Sequence, residues 1–244
     1  MDVKVLASGS TGNCYRISDH RTSVLLDAGI QFRGIQEGCG FNVTGLAGCL
    51  ITHDHNDHAR SAAELMKRSV DVYTSYGTAE SREWLGKEGR TQGIPAHRLH
   101  IVHDMESFRI GSFVVTAFGV EHDSPESLGF AIYSKETDDK LMYFTDTYYI
   151  KYRFNGLTHI LCECNYDREI LYDNIKTGKV EPFVARRLMK THMSIDTLLD
   201  TLRLTDLSRV RQIYLLHISG SNGNVSEFKR RVQALTGAEV YACS

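Results

Sequence analysis

His53, His55, Asp57 and His58 fall within six positions, in the stretch Ile51-Thr-His-Asp-His-Asn-Asp-His58. Three imidazoles and a carboxylate at this density crowd one another unless a positive ion sits among them. A borderline cation such as Zn²⁺ takes imidazole nitrogen and carboxylate oxygen together. The preceding Gly48-Cys-Leu-Ile-Thr52 is short, apolar and bounded by polar residues, as a buried strand is. The histidines therefore begin where a strand stops, on a loop with rigid support beneath it. For the same residues the competing reading is an exposed polar turn that is merely rich in histidine.

This run resembles the H-x-H-x-D-H signature of the metallo-β-lactamase-fold hydrolases. That resemblance implies four further stations, each of which this chain supplies at the end of an apolar run. Val24-Leu-Leu-Asp27 offers a buried aspartate that steadies the histidine loop without binding metal. Val114-Val-Thr-Ala-Phe-Gly-Val-Glu-His122 offers a ligand histidine, and Leu141-Met-Tyr-Phe-Thr-Asp146 a bridging aspartate. Gln212-Ile-Tyr-Leu-Leu-His217 offers the last ligand histidine. The resemblance runs from Val3 to about Val240, and it implies an α/β fold, a four-layer αββα sandwich.

Within that resemblance His53, His55 and His122 hold one ion, Asp57, His58 and His217 hold a second, and Asp146 bridges them. Paired ions about 3.5–4 Å apart clamp the attacking and leaving oxygens of a displacement, and bound water ionises near pH ~7. Open coordination positions mark a catalytic rather than a structural site. The expected cofactors are thus two divalent ions, Zn²⁺ or Mn²⁺, with Asp57, Asp146 and His192 as catalytic residues.

The chain has 244 residues and 42% hydrophobic content, ordinary for one globular domain, 1–244. The six cysteines, at 14, 39, 49, 162, 164 and 243, form neither a C-x-x-C nor a dense disulfide framework. Cys162 and Cys164 share a strand face and read as a buried pair rather than as ligands. The amino-terminal apolar stretch is too short for a signal peptide, and no window approaches a membrane span, so a cytoplasmic location is expected. His97, His100 and His103 alternate with Leu99, Ile101 and Val102 and read as solvated histidines on a strand edge.

Periodicity places strands near residues 2–7, 13–18, 22–27, 47–52, 70–74, 99–103, 107–119, 128–134, 140–145, 158–163, 211–217 and 239–243. Helices are expected near 57–68, 77–88, 183–190, 194–204 and 224–236. The last has Asn224 or Ser226 as cap, a stripe of Val225, Phe228, Val232 and Leu235, and Gly237 as its stop.

Substrate does not follow from fold. The amino-terminal turn Ser8-Gly-Ser10-Thr-Gly-Asn13-Cys14 exposes backbone N–H groups of the kind that cradle phosphate, or else makes a plain hairpin. Together with the metal stations it resembles the YycJ/WalJ-type metallohydrolases, whose members begin S-G-S-x-G-N-C. Glu163-Cys-Asn165-Tyr-Asp167, Thr191-His192-Met-Ser194 and His217-Ile-Ser219-Gly-Ser-Asn222 match three more segments of that subgroup. Thr191 replaces a glycine there, and Gly220-Ser221 replaces an arginine and an aspartate. The resemblance implies 5′-to-3′ exonuclease action on double-stranded DNA, with Ser10, Asn13, Asn165, Ser194, Ser219, Asn222 and Arg186 contacting a 5′-phosphate end.

Net charge is −2, yet residues 150–244 carry 14 Lys/Arg against 10 Asp/Glu. Arg186, Arg187 and Lys190 stand just before His192, as a surface for a phosphate backbone would require. Tyr148, Tyr149 and Tyr152 read equally as base-stacking or as core packing. A hydrolase of thioesters, lactones or other small esters is the alternative enzyme, and a metal-stabilised binding module the non-enzymatic one. Oligomeric state is not written in the sequence.

Overall fold

Strands β1 (Asp2–Ala7), β2 (Cys14–Ser18) and β3 (Ser23–Leu26) pair antiparallel through short turns. Beyond β3 the direction changes. β4 (Gly48–Leu50) lies parallel to β3 with Leu26 opposite Leu50, which a helical crossover must permit. That crossover carries α1 (Phe32–Gly38). Next come α2 (Asn56–Ala59), α3 (Ala62–Lys67) and β5 (Val72–Thr74), then α4 (Tyr76–Ser81) and β6 (Leu99–Ile101). The six strands form one sheet in sequence order, β1 to β6. Strands β7 (Ser107–Ile110), β8 (Phe113–Gly119) and β9 (Leu128–Ser134) follow as an antiparallel meander.

These elements make the first of two contact-defined units, Met1–Gly119 with Ser124–Asp139; the second is Val120–Asp123 with Lys140–Ser244. The computed structural model describes residues 1–86 and 93–243. In the second unit β10 (Lys140–Phe144), β11 (His159–Glu163), β12 (Gln212–Leu216) and β13 (Glu239–Ala242) pair in parallel throughout. Helices α5 (Arg168–Lys176), α6 (Pro182–Thr191) and α7 (Ile195–Arg203) fill the β11–β12 crossover, and α8 (Val225–Thr236) the last. The chain is therefore mixed α/β, and in the second unit the parallel strands end on a common edge.

Departures from the expected elements have local causes. Residues 107–119 are a hairpin, not one strand, because Gly111 turns at φ +57° against Thr22, whose Oγ1 a Cβ would meet at 2.3 Å. The helix expected over 57–68 breaks at Ser61, whose N–H donates to Ala28 O and whose hydroxyl donates to Ile30 O at 2.6 Å. The helix expected near 77–88 stops at Ser81, and residues 87 and 88 lie outside the described residues. Helices α1 and α5 had no clear periodic signal. For α8, Asn224 accepts from Glu227 N at 3.1 Å and Gly237 adopts φ +68°, as expected. Its inward stripe is Phe228 and Val232, while Val225 stays 40% exposed.

The first unit's core gathers Leu25, Ile35, Ile51, Leu65 and Val72 around Cys14 and Cys49. Burial pushes both thiols well above their ordinary range, so they act as small apolar side chains. Cys162 and Cys164 are buried free thiols of the second unit. His100 stacks on Tyr73 at the β6 edge, with His97 and His103 exposed on either side. No helix among the described residues is long and apolar enough to cross a membrane.

Candidate metal centre

In the first unit the histidine loop follows β4 and is anchored by the residue that follows β3. Asp27 is fully buried, and its Oδ1 accepts from Thr52 N at 2.8 Å. Its Oδ2 lies 2.7 Å from His58 Nδ1. With Nδ1 donating to that carboxylate, Nε2 of His58 carries the lone pair; a carboxylate fixes a ligand histidine's tautomer in this way. A similar relay serves His53. The Thr52 hydroxyl donates to Asp27 and lies 3.0 Å from His53 Nδ1, so that with Nδ1 donating to it the lone pair of His53 falls on Nε2. That nitrogen faces His55 Nδ1 at 3.2 Å. Asp57 Oδ2 stands 3.6 Å from His58 Nε2.

In the second unit the parallel register does the positioning. Phe144 pairs with Cys162, and Glu163 pairs with Leu216. Asp146, Glu163 and His217 therefore leave three adjacent strands at the same edge, where open α/β sheets place ligands. Asp27, Asp146 and His217 adopt φ of +56°, +49° and +53°. That left-handed conformation tolerates Asp and His better than most side chains, yet it costs of order 1–3 kcal/mol each and is kept at sites that need it. His217 Nδ1 lies 3.4 Å from both Asp146 Oδ1 and Glu163 Oε1. His122, half-buried on its own loop but with a side chain only 2% exposed, places Nε2 3.9 Å from Asp146 Oδ2. His192 stacks on His217 with ring centroids 5.2 Å apart.

Residues 22–218 match the β-lactamase superfamily domain. The chain belongs to that superfamily. Over 238 residues it is 29% identical to the exodeoxyribonuclease YycJ of Bacillus anthracis, covering 93% of this chain and 85% of the relative. It is 28% identical to the exodeoxyribonuclease WalJ of Streptococcus pneumoniae, covering 91% and 83%. Among solved structures, the metallo-β-lactamase-fold protein YhfI of Bacillus subtilis superposes with a TM-score of 0.71 at 14% identity, over 99% of this chain and 96% of that one. The chain has the metallo-β-lactamase fold, and it is a metal-dependent hydrolase.

The donor sets agree with what this superfamily binds. Two imidazole nitrogens facing each other at 3.2 Å, each with its other nitrogen or loop fixed elsewhere, suit a shared cation. In the second unit His122 and His217 each bring a ring nitrogen to Asp146, at 3.9 and 3.4 Å, with Glu163 beside them. Two buried carboxylates so close are costly unless positive charge lies among them. Divalent metal fits both sets.

Glu163 stands in the E-x-N-x-D match of the sequence, but no role was assigned to it there. It is fully buried, its Oε2 accepts from Thr147 N and Met193 N, and its Oε1 lies 2.6 Å from His192 Nδ1. Burial opposes charge on His192, but the Glu163 carboxylate outweighs it, with Asp146 adding, and raises the histidine above its ordinary pKa. Glu163 itself is held below the usual carboxylate range: burial works the other way, and the His192 charge prevails. Both shifts share one cause, the contact between this carboxylate and this imidazole. A glutamate ending the apolar run Ile160-Leu-Cys162 was the signal that could have assigned one.

Of the residues expected at a phosphate, several serve the scaffold. Asn13 is fully buried; Nδ2 donates to Gly9 O at 3.0 Å and lies 3.0 Å from His58 Nε2, while Oδ1 accepts from Gly9 N and the Tyr15 hydroxyl. Ser194 is the buried cap of α7, accepting from Thr197 N at 3.2 Å, while His192, at the carboxyl end of α6, has no part in that cap. Asn165 donates to His217 O at 2.8 Å and so fixes the strained loop. Ser219 accepts from Asn222 N, and Asn222 accepts from Asn174. Ser10 is exposed on the amino-terminal turn. Arg186 lines a cavity of about 530 Å³ together with His122, Tyr148, Phe183, Arg187 and Lys190.

Proposed function

We propose that this protein is a binuclear phosphodiesterase, a 5′-to-3′ exonuclease acting on duplex DNA with a 5′-phosphate end. One ion would be held by His53, His55 and His122, the other by Asp57, His58 and His217, with Asp146 shared between them. The observation that carries the reading is the second unit's cavity. Its wall passes from His122 to Arg186, Arg187 and Lys190 and includes the exposed rings of Tyr148 and Phe183. Cations beside aromatic faces suit a chain of phosphates and bases, whereas a small thioester or lactone has no use for them. Arg187 is paired to Asp123 at 2.8 Å, which leaves Arg186 and Lys190 as the cations for a backbone.

Bound divalent ions supply a water that ionises near neutrality and positive charge for the phosphoryl oxygens. The chain's own contribution is orientation and proton transfer. Asp27 and Thr52 hold His58 and His53 in one tautomer each. His192, kept charged by Glu163, donates its proton to the leaving oxygen as a general acid.

Linear duplexes labelled at either end, with and without a 5′-phosphate, test this in the presence of Zn²⁺ or Mn²⁺. Stepwise loss from the phosphorylated 5′ end, absent in His58→Ala, is the expected result. Intact DNA with two metals bound would turn the search to RNA, thioesters and lactones.

A further inference from the structure

The first unit has a cavity of its own, of about 510 Å³, that opens directly on the histidine loop. Ser10, Thr11, Gly29, Asn56, Asp57 and Arg60 line it. Apart from Asp57, which is claimed as a ligand, every polar side chain on this wall can donate a hydrogen bond. Ser10 and Thr11 project from the amino-terminal turn, where Gly9 and Gly12 take φ of +127° and +153°. Asn56 accepts at Oδ1 from Arg82 Nη1 at 2.8 Å, so its Nδ2 donors remain for something else. Arg60 follows α2 with its side chain exposed, and among the described residues no carboxylate pairs with its guanidinium. Other arginines of this unit are paired: Arg33 with Glu37, Arg68 with Glu64, Arg98 with Asp71.

A concave site with a planar guanidinium, an amide and two hydroxyls, its guanidinium three positions from a metal-claimed aspartate, has the donor chemistry of a phosphate pocket. We infer that Arg60, with Ser10, Thr11 and Asn56, holds a non-scissile phosphate: the terminal 5′-phosphomonoester of the substrate. Arg60 is then a positioning residue that selects phosphorylated ends. The inference deepens the phosphodiesterase reading and rests on it for the identity of its ligand, though not for the chemistry of the pocket.

The fully metal-loaded protein is compared as wild type, Arg60→Ala, Arg60→Lys and, for an equal loss of charge on the same unit, Arg33→Ala. Two measurements are made: KM on linear duplexes ending in 5′-phosphate or 5′-hydroxyl, and calorimetric binding of thymidine 5′-monophosphate against thymidine. One lost charge-assisted contact corresponds to about a tenfold to hundredfold effect. In Arg60→Ala the KM advantage of the phosphorylated end should shrink by that factor and nucleotide binding weaken alike. Arg60→Lys should recover part of both, and Arg33→Ala should keep the wild-type ratio. Equal losses on the two ends, or the same loss in Arg33→Ala, would overturn the pocket. If wild type degrades neither duplex, the nuclease reading fails by itself. The nucleotide titration then still decides the pocket: Arg60-dependent binding of the monophosphate upholds it, and binding indifferent to Arg60 removes it.

Discussion

Glu163 Oε1 and His192 Nδ1 lie 2.6 Å apart, 29 residues distant in sequence, with the carboxylate wholly buried. The pair repeats on β11 the device that Asp27 and His58 make at the end of β3. In each case a strand-end carboxylate takes the hydrogen bond from a histidine's Nδ1 and fixes how the ring is turned.

Glu163→Gln keeps the shape and deletes the charge that raises His192. His192 then loses its proton at a lower pH than in the wild type, so the alkaline limb of kcat against pH should move to lower pH. Linkage has the matching sign: a raised histidine stabilises the fold below its unfolded pKa of about 6.5, and that contribution fades as pH rises through the folded value. An unmoved alkaline limb, with metal content preserved, would show that His192 is not the acid. His192→Ala should lower turnover while both metals stay bound.

Asp27→Asn should weaken metal binding by about 10- to 100-fold, since the amide cannot accept from Thr52 N, the Thr52 hydroxyl and His58 Nδ1 together. Competition for Zn²⁺ against a chromophoric chelator reads this directly. Unaltered affinity in a folded variant would remove Asp27 from its orienting role.

Gly29→Ala tests the closeness of two loops. A Cβ there would stand 1.6 Å from the carbonyl oxygen of Asp57, which no rotamer relieves. Either the histidine loop moves or the unit unfolds, a cost of about 1–3 kcal/mol or more. A lower melting temperature together with reduced metal content is expected, and a variant with wild-type values for both would show the contact to be slack.

Asp19 offers a stability test away from the metal residues. It is buried, and Ser134, Ser112 and the backbone of Thr22 and Arg21 donate to it; although burial pushes the other way, these donors hold its carboxyl below the ordinary range. A depressed pKa adds stability that is present above the unfolded value, about 3.9, and is lost as pH falls through the folded one. Thermal melts should therefore drop more steeply below about pH 4 in the wild type than in Asp19→Asn. At pH 7 the variant should be less stable by about 1–3 kcal/mol. Parallel melting curves across that window would count against it.

Much was legible in the chain because ligand chemistry and strand chemistry are both local. A strand shows its apolar run, and His53, Asp27, Asp146 and His217 each stand just beyond one, so type and position could be read together. Strand limits came within a few residues for the same reason. The hairpin at Gly111 and the break at Ser61 escaped because each is set by a distant partner, Thr22 in one case and the Ala28–Ile30 segment in the other.

The amino-acid sequence by itself determined the donor inventory: which imidazoles and carboxylates exist, and that they begin where apolar strands end. Only the tertiary structure decided what each donor faces. Parallel pairing of β11 with β12 sets Glu163 beside His217, and the β3–β4 register sets Asp27 beneath the histidine loop. Asn13 thereby became a clamp on His58 rather than a free donor, Ser194 a helix cap, and Arg60 the guanidinium of a cavity. The physical reason is range: hydrophobic periodicity acts over a few residues, whereas a hydrogen bond between residues 29 or 45 apart exists only once the sheet has chosen its register.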